Sequence, residues 1–267
     1  MKHRTCWFAA VLLTLGVCVA AQAQTYDLRE MYRDNQLLQV GTEMELEVTF
    51  TPAAQEGEQA AAPMAFSGQT KTVLRARMLA TENGDPRALR VVVQSGEDIT
   101  SATGAEPQTK QCPYIGKVVN ITRTPGEPDA YSDAGDAAIE DPEVAQWVSG
   151  LPSQLFPPNL EKLAAVSVGD RWEVPAKNED EPPAKGCLVG ITEEDGRRLA
   201  TVELEIPAGG PDTEPLKGVC LFDLDAHFPA TTEIGGENEG QIEAEGTVVG
   251  RQAMKMRMKL TVQEVAE

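Results

Sequence analysis

Histidine is almost missing from this chain. There are two in 267 residues, His3 and His227. Imidazole is the commonest transition-metal ligand and the commonest general base, so its scarcity excludes most histidine-based metal sites. A Ser-His-Asp mechanism would rest on His227 alone. Gly-x-Ser-x-Gly, His-Glu-x2-His, Cys-x2-Cys and phosphate-loop motifs are all absent, so no standard nucleophile, zinc or nucleotide signature stands in the sequence. No catalytic residue, metal ligand or cofactor is therefore assigned. Positive charge is also scarce, with 23 Lys and Arg against 42 Asp and Glu, a net charge of −19. Such a surface repels phosphate backbones and anionic head groups, which excludes nucleic acid as a partner. Beyond the first two dozen residues no apolar run approaches the roughly 20 residues of a membrane helix. The chain does not read as an integral membrane protein.

The leading segment is the most specific feature present. Lys2 and Arg4 precede an apolar run, Cys6 to Val17, too short to span a bilayer, and Ala21-Gln22-Ala23 follows as a small-x-small cleavage pattern. Residues 1–23 read as a signal peptide cleaved after Ala23, leaving 24–267 as a single β-rich domain in the periplasm or outside the cell. Leu15-Gly16-Val17-Cys18 resembles a lipobox but carries Val17 where a small residue belongs, so a soluble product is expected rather than a lipoprotein. Removing the leader takes Lys2, Arg4, His3, Cys6 and Cys18 with it and moves the net charge to −21. Cys112, Cys187 and Cys220 remain, an odd number in a disulfide-permissive compartment. One bridge and one free thiol are expected, with three pairings open. Cys220 and His227 lie seven apart, and nothing else in the sequence supports them as a nucleophile and its base.

Alternation of period two dominates the remainder. Met44, Leu46, Val48 and Phe50 alternate with Glu43, Glu45 and Glu47. Leu74 to Ala80 and Leu89 to Val93 flank Asn83-Gly84-Asp85-Pro86 as a hairpin with a loop of about five residues. Residues 51–69 and 95–111 read as loops, and 114–124 as β-prone. One helix is expected near 140–150, where Asp141 can cap, Pro142 suits the first turn, and Val144, Trp147, Val148 and Leu151 follow helical spacing. A short second helical piece is expected around Leu160 to Leu163. Further strands are read at Arg171–Val174, Leu188–Thr192, Leu199–Ile206 after Glu194-Asp195-Gly196-Arg197, Gly218–Leu224, His227–Ile234, Gln241–Val249 and Met254–Val262. The fold class is mainly β, with antiparallel strands as a sandwich or a curved, partly open barrel. Two strand-rich parts, 25–125 and 168–267, stand as two lobes around the helical segment.

Met254, Met256 and Met258 form a soft-ligand stripe of the kind that suits Cu(I). Leu260 and Val262 continue the same face, and Lys255, Arg257 and Lys259 would oppose a cation, so core packing is expected instead. The acidic groups Asp129, Asp133, Asp136 and Glu179-Asp180-Glu181 lack the spacing of a calcium loop. Asn120-Ile121-Thr122 matches a glycosylation acceptor but lies in an apparent strand, and receives no role.

Val168-Gly169-Asp170-Arg171-Trp172, Tyr114 to Val119, Leu221-Phe222-Asp223-Leu224 and the Met254–Val262 strand together resemble a family of exported bacterial β-rich proteins of unknown function. The resemblance spans about 112–265, and Asp225-Ala226-His227 departs from the family's Thr-Gly turn. It implies a β-rich envelope protein and brings no activity or catalytic residues. The expected function is a non-enzymatic module binding a small apolar ligand or an envelope protein. An extracytoplasmic hydrolase using carboxylates or His227, and a structural or assembly role, are the alternatives.

Overall fold

The computed structural model describes residues 24–53, 61–124, 128–135, 139, 161–174, 182–207, 214–244 and 247–266. The helix expected near 140–150 lies outside these, as do the leader and the Glu179-Asp180-Glu181 run. Among the described residues fourteen strands run in chain order. They are β1 (Thr25–Tyr26), β2 (Leu37–Pro52), β3 (Met64–Glu82), β4 (Asp85–Ala102), β5 (Gln108–Gln111), β6 (Val118–Thr122) and β7 (Ala130–Ser132) in the first half. A 3-10 turn at Glu161–Ala164 falls at the expected short helical piece. Then come β8 (Val166–Ser167), β9 (Arg171–Val174), β10 (Ala184–Glu194), β11 (Arg197–Ile206), β12 (Leu216–Asp223), β13 (Phe228–Ala244) and β14 (Thr247–Glu264).

Twelve of these make one antiparallel sheet in the order β7-β6-β4-β3-β2-β14-β13-β12-β11-β10-β9, with β5 added on β4. The sheet is curved and open, neither a sandwich nor a closed barrel. The two strand-rich parts of the sequence meet in it at a central seam, where β2 and β14 pair from Gly250↔Pro52 to Glu264↔Leu38.

Two hairpins turn on residues suited to the mirror-image turn that a right-twisted ribbon needs. Asn83 and Gly84 have φ of 54° and 87°, and Asp195 and Gly196 have 51° and 75°. Glu82↔Asp85 and Glu194↔Arg197 close directly over them. The first loop is thus two residues, not five, because Asp85 and Pro86 already belong to β4. Strands also run further than alternation suggests. β4 continues through Ser95-Gly96-Glu97 to Ala102, where residues 95–111 read as loop. β13 is continuous through Gly235-Gly236 and Gly240, because β14 supplies a partner at each step. Pairing with a neighbouring strand here overrides weak local preference.

One face of the sheet carries the core. Near one end of the strands Leu38, Val40, Leu74, Ala76, Met78, Leu89, Val91, Val119, Ile121 and Val262 form a buried cluster closed by Tyr32 and Phe228. A second cluster unites Leu188, Ala200, Val202, Phe222 and Leu224 with Leu28 and Val166. The lid over both is the segment 24–36. It is held by β1–β8 pairing and by backbone bonds from Leu28 N to Leu163 O, Met31 N to His227 O and Tyr32 N to Gly84 O, at 2.8, 2.9 and 2.8 Å.

Candidate functional site

The core covers only part of that face. Register places Met44, Leu46, Val48 and Phe50 of β2 beside Met254, Met256 and Met258 of β14, with Phe66 of β3 alongside Val48 and Ile234 of β13 alongside Met258. These residues continue the alternation that buries Leu38, Val40 and Val262 nearer the lid. Yet Met44, Met64 and Phe66 are 39%, 55% and 43% exposed, and Leu46, Val48, Phe50 and the three methionines are only half-buried. The expectation that the methionine stripe is core therefore holds only at its end, where Leu260 and Val262 reach the buried cluster. The sheet is longer than its core, and the excess is an apolar strip on β2 and β14. Thr70, Thr72, Asp98 and Thr100 bound it on β3 and β4, and Gly236, Asn238 and Gly240 on β13.

The opposite face is charged. Across the strands one register row reads Glu97, Lys71, Glu43, Lys259, Glu233, Val219, Glu203, Cys187, Arg171. The next reads Glu45, Arg257, Gly235, Lys217, Glu205, Lys185, Glu173. Opposite charges directly across antiparallel strands attract, and like charges repel, so these rows favour this register over a slip. Lys259 and Lys255 bond Glu233 and Glu237 at 2.7 and 2.8 Å. Those bonds hold both carboxyls below the usual range and both ammonium groups above theirs. A trough of about 1120 Å³ lies on this face over β9–β14, and a smaller one of about 410 Å³ over Gly41, Glu43, Lys71, Glu97 and Lys259.

His227 closes the β12–β13 turn with φ of 58°, a strand-turn-strand junction as the sequence indicates. Asp223, buried, accepts from the backbone N of Asp225 and Ala226 through Oδ1, both at 2.9 Å. Arg198 donates from Nε and Nη2 to Asp225 Oδ1 at 3.0 and 2.5 Å, pinning the turn to β11. This arginine holds the Asp225 carboxyl low, and Arg29 does the same for Asp27. His227 Nδ1 is buried with no hydrogen-bond partner among the described residues. Asp27 and Asp225, both coupled to His227, are thus engaged by arginine and held low, a poor setting for general acid work. Glu30 differs. Burial pushes its carboxyl up to about 8, against the opposing hydrogen bond from Tyr32, whose hydroxyl donates to Glu30 Oε2 at 2.5 Å. Glu30 belongs to the lid, and neither described trough is lined by it or by His227.

The three cysteines among the described residues carry free thiols, so the expected bridge among Cys112, Cys187 and Cys220 is not formed. Cys187 lines the charged trough, whereas Cys220 packs under the second core cluster on the other face, and a sheet separates them. Cys112 sits against Gly96, at the far side of the seam. Burial raises the Cys220 thiol to about 11, which leaves it protonated and without nucleophilic use. Among the described residues no group of three or more His, Cys, Asp or Glu side chains could hold a metal ion, and no helix is long and apolar enough to cross a membrane. Alternating apolar positions gave the strip's residues from sequence, but not that the core stops short of them. The charged trough needs the register of six strands and had no linear signal.

No protein-family model and no curated protein sequence matches the chain. Several solved structures are similar to it. Over 88% of this chain and 26% of the other, it is similar to lipovitellin, described for its lipid–protein interactions, at 5% identity and a TM-score of 0.47. The chain thus spans about a quarter of that protein's length. It is similar to a LolA superfamily protein from Nitrosomonas europaea at 9% identity and a TM-score of 0.24, covering 91% of this chain and 90% of that one. A putative outer membrane lipoprotein-sorting protein domain from Vibrio parahaemolyticus shares 10% identity at a TM-score of 0.16, over 84% and 85% of the two chains.

Proposed function

We propose that this chain is a non-enzymatic β module of the bacterial envelope that holds a small, lipid-like apolar ligand along the strip on β2 and β14. The observation that carries this reading is the continuation of one apolar face past the end of its own core. Met44, Leu46, Val48, Phe66, Met254 and Met256 remain partly or largely exposed there. Contiguous exposed apolar surface on a globular chain marks a binding surface. Methionine suits a surface that must adapt to flexible chains. The leader read at residues 1–23 supports a periplasmic or secreted location, and the excess of acid disfavours docking on anionic membranes.

Native mass spectrometry of protein purified from its host tests the reading directly, with co-purified lipid as the expected result. Fluorescence of N-phenyl-1-naphthylamine gives the mutational arm. Each buried apolar side chain contributes about 1.5–3 kcal/mol. Leu46→Glu and Met256→Glu are therefore expected to weaken the dye at least about tenfold while leaving the thermal unfolding midpoint in place. Unchanged dye affinity in both variants would sink the proposal.

A further inference from the structure

The charge alternation on the polar face breaks at Cys187, Val219 and Gly235, and the faults at Val219 and Gly235 lie side by side. In the second register row Arg257 and Lys217 flank Gly235. Alternation would place an acid there, and glycine leaves two cations facing one another across an empty position. In the first row Glu233 and Glu203 flank Val219. Alternation would place a base there, and a valine that is 43% exposed stands instead. Val219 and Gly235 sit on adjacent strands one diagonal step apart, a separation of ~7–8 Å. Both faults, with all four flanking charges, line the trough of about 1120 Å³.

The surroundings fit a ligand rather than a tolerated irregularity. Arg171, Lys185, Lys217 and Arg257 line the trough, and none of them has an ion-pair partner among the described residues; Glu203 and Glu205 are likewise unpaired. On a chain of net charge −19, a cavity with four bases balanced by Glu173, Glu203, Glu205 and Glu233 is a local break in the acidic field. A bare anion would meet the acids and a bare cation the bases. A molecule carrying both charges, in the order of these two faults, would fill the gaps at Val219 and Gly235.

We propose that the trough on β9–β14 binds a zwitterion, with its phosphate or carboxylate over Gly235 between Lys217 and Arg257 and its ammonium over Val219 between Glu203 and Glu233. The exposed valine surface favours an ammonium that carries methyl groups. This site is on the face opposite the apolar strip, and it stands whether or not the strip binds a lipid.

Isothermal titration of the purified chain with phosphocholine, inorganic phosphate and choline is the test. Phosphocholine is expected to bind at least about tenfold more tightly than either half alone, since each charge-assisted contact contributes of the order of one decade. Lys217→Gln removes the anion contact and Val219→Lys fills the cation gap internally. Each is expected to weaken phosphocholine about tenfold, whereas Lys255→Gln, outside the trough, leaves it unchanged. These are exposed positions, and circular dichroism checks that each variant folds. Phosphate binding as tightly as phosphocholine, wild-type affinity in both trough variants, or no heat at millimolar phosphocholine would each overturn the proposal. Sedimentation with phosphatidylcholine vesicles separates the sources. Pelleting with vesicles identifies a lipid headgroup, and binding of soluble phosphocholine without pelleting identifies a free small molecule.

Discussion

Glu30 is a side chain whose protonation links folding to pH. In the unfolded chain its carboxyl titrates near 4.5, and under the lid, desolvated beside Tyr32, it holds its proton to about 8. A raised acid pKa means the folded state binds the proton more tightly. The contribution to stability is therefore complete below pH 4.5 and declines as pH rises towards 8. Glu30→Gln keeps the neutral shape without the ionisation. Its stability relative to wild type is expected to climb between pH 5 and pH 8 and then level off. Urea unfolding of both proteins at pH 5, 7 and 9 checks this, and parallel curves would refute it. Nothing in the local sequence Leu28-Arg29-Glu30-Met31-Tyr32 marks this glutamate's carboxyl as desolvated. Its environment is made by β12, by the β3–β4 turn and by Arg123, all distant in the chain.

At the scale of elements, close approach between strands sets the tolerances. A Cβ on Gly218 would lie 2.7 Å from the Glu233 carbonyl oxygen and 2.8 Å from Ile234 Cγ1. Gly218→Ala is expected to cost about 1–3 kcal/mol by overpacking the β12–β13 pair. Gly190→Ala, at a bulge with nothing within 4 Å, is expected to change little. Chemical denaturation of the two variants side by side measures the difference. The alternations at Met44–Phe50 and Met254–Val262, and the Asp195-Gly196 turn, were plain in the sequence because each is a local property of the chain. The continuation of β4 past Gly96 and of β13 past Gly235 was not. Glycine lowers local strand preference, and only the partner strands restore it. The apolar strip was half legible for the same reason. Its period is local, but whether a neighbour covers it is decided by where the lid ends.

For the whole molecule, the seam between β2 and β14 is decisive. Glu264 pairs with Leu38 and Thr261 with Gly41, joining segments more than two hundred residues apart. Loop closure of that length must precede the reward of pairing, which slows folding. The charge rows that cross the seam, Glu43 with Lys259 and Glu45 with Arg257, specify its register once it forms. Before then most of each apolar cluster lies within one half, and β2 and β14 each present an open edge. A β14 that is late to its own β2 meets an identical edge on any other copy. The seam is thus a point for domain swapping. Refolding from denaturant at high protein concentration is expected to yield a dimer that exchanges β14, separable by size-exclusion chromatography, while dilute refolding returns the monomer. A single species at every concentration would show that the seam closes faster than two chains can meet.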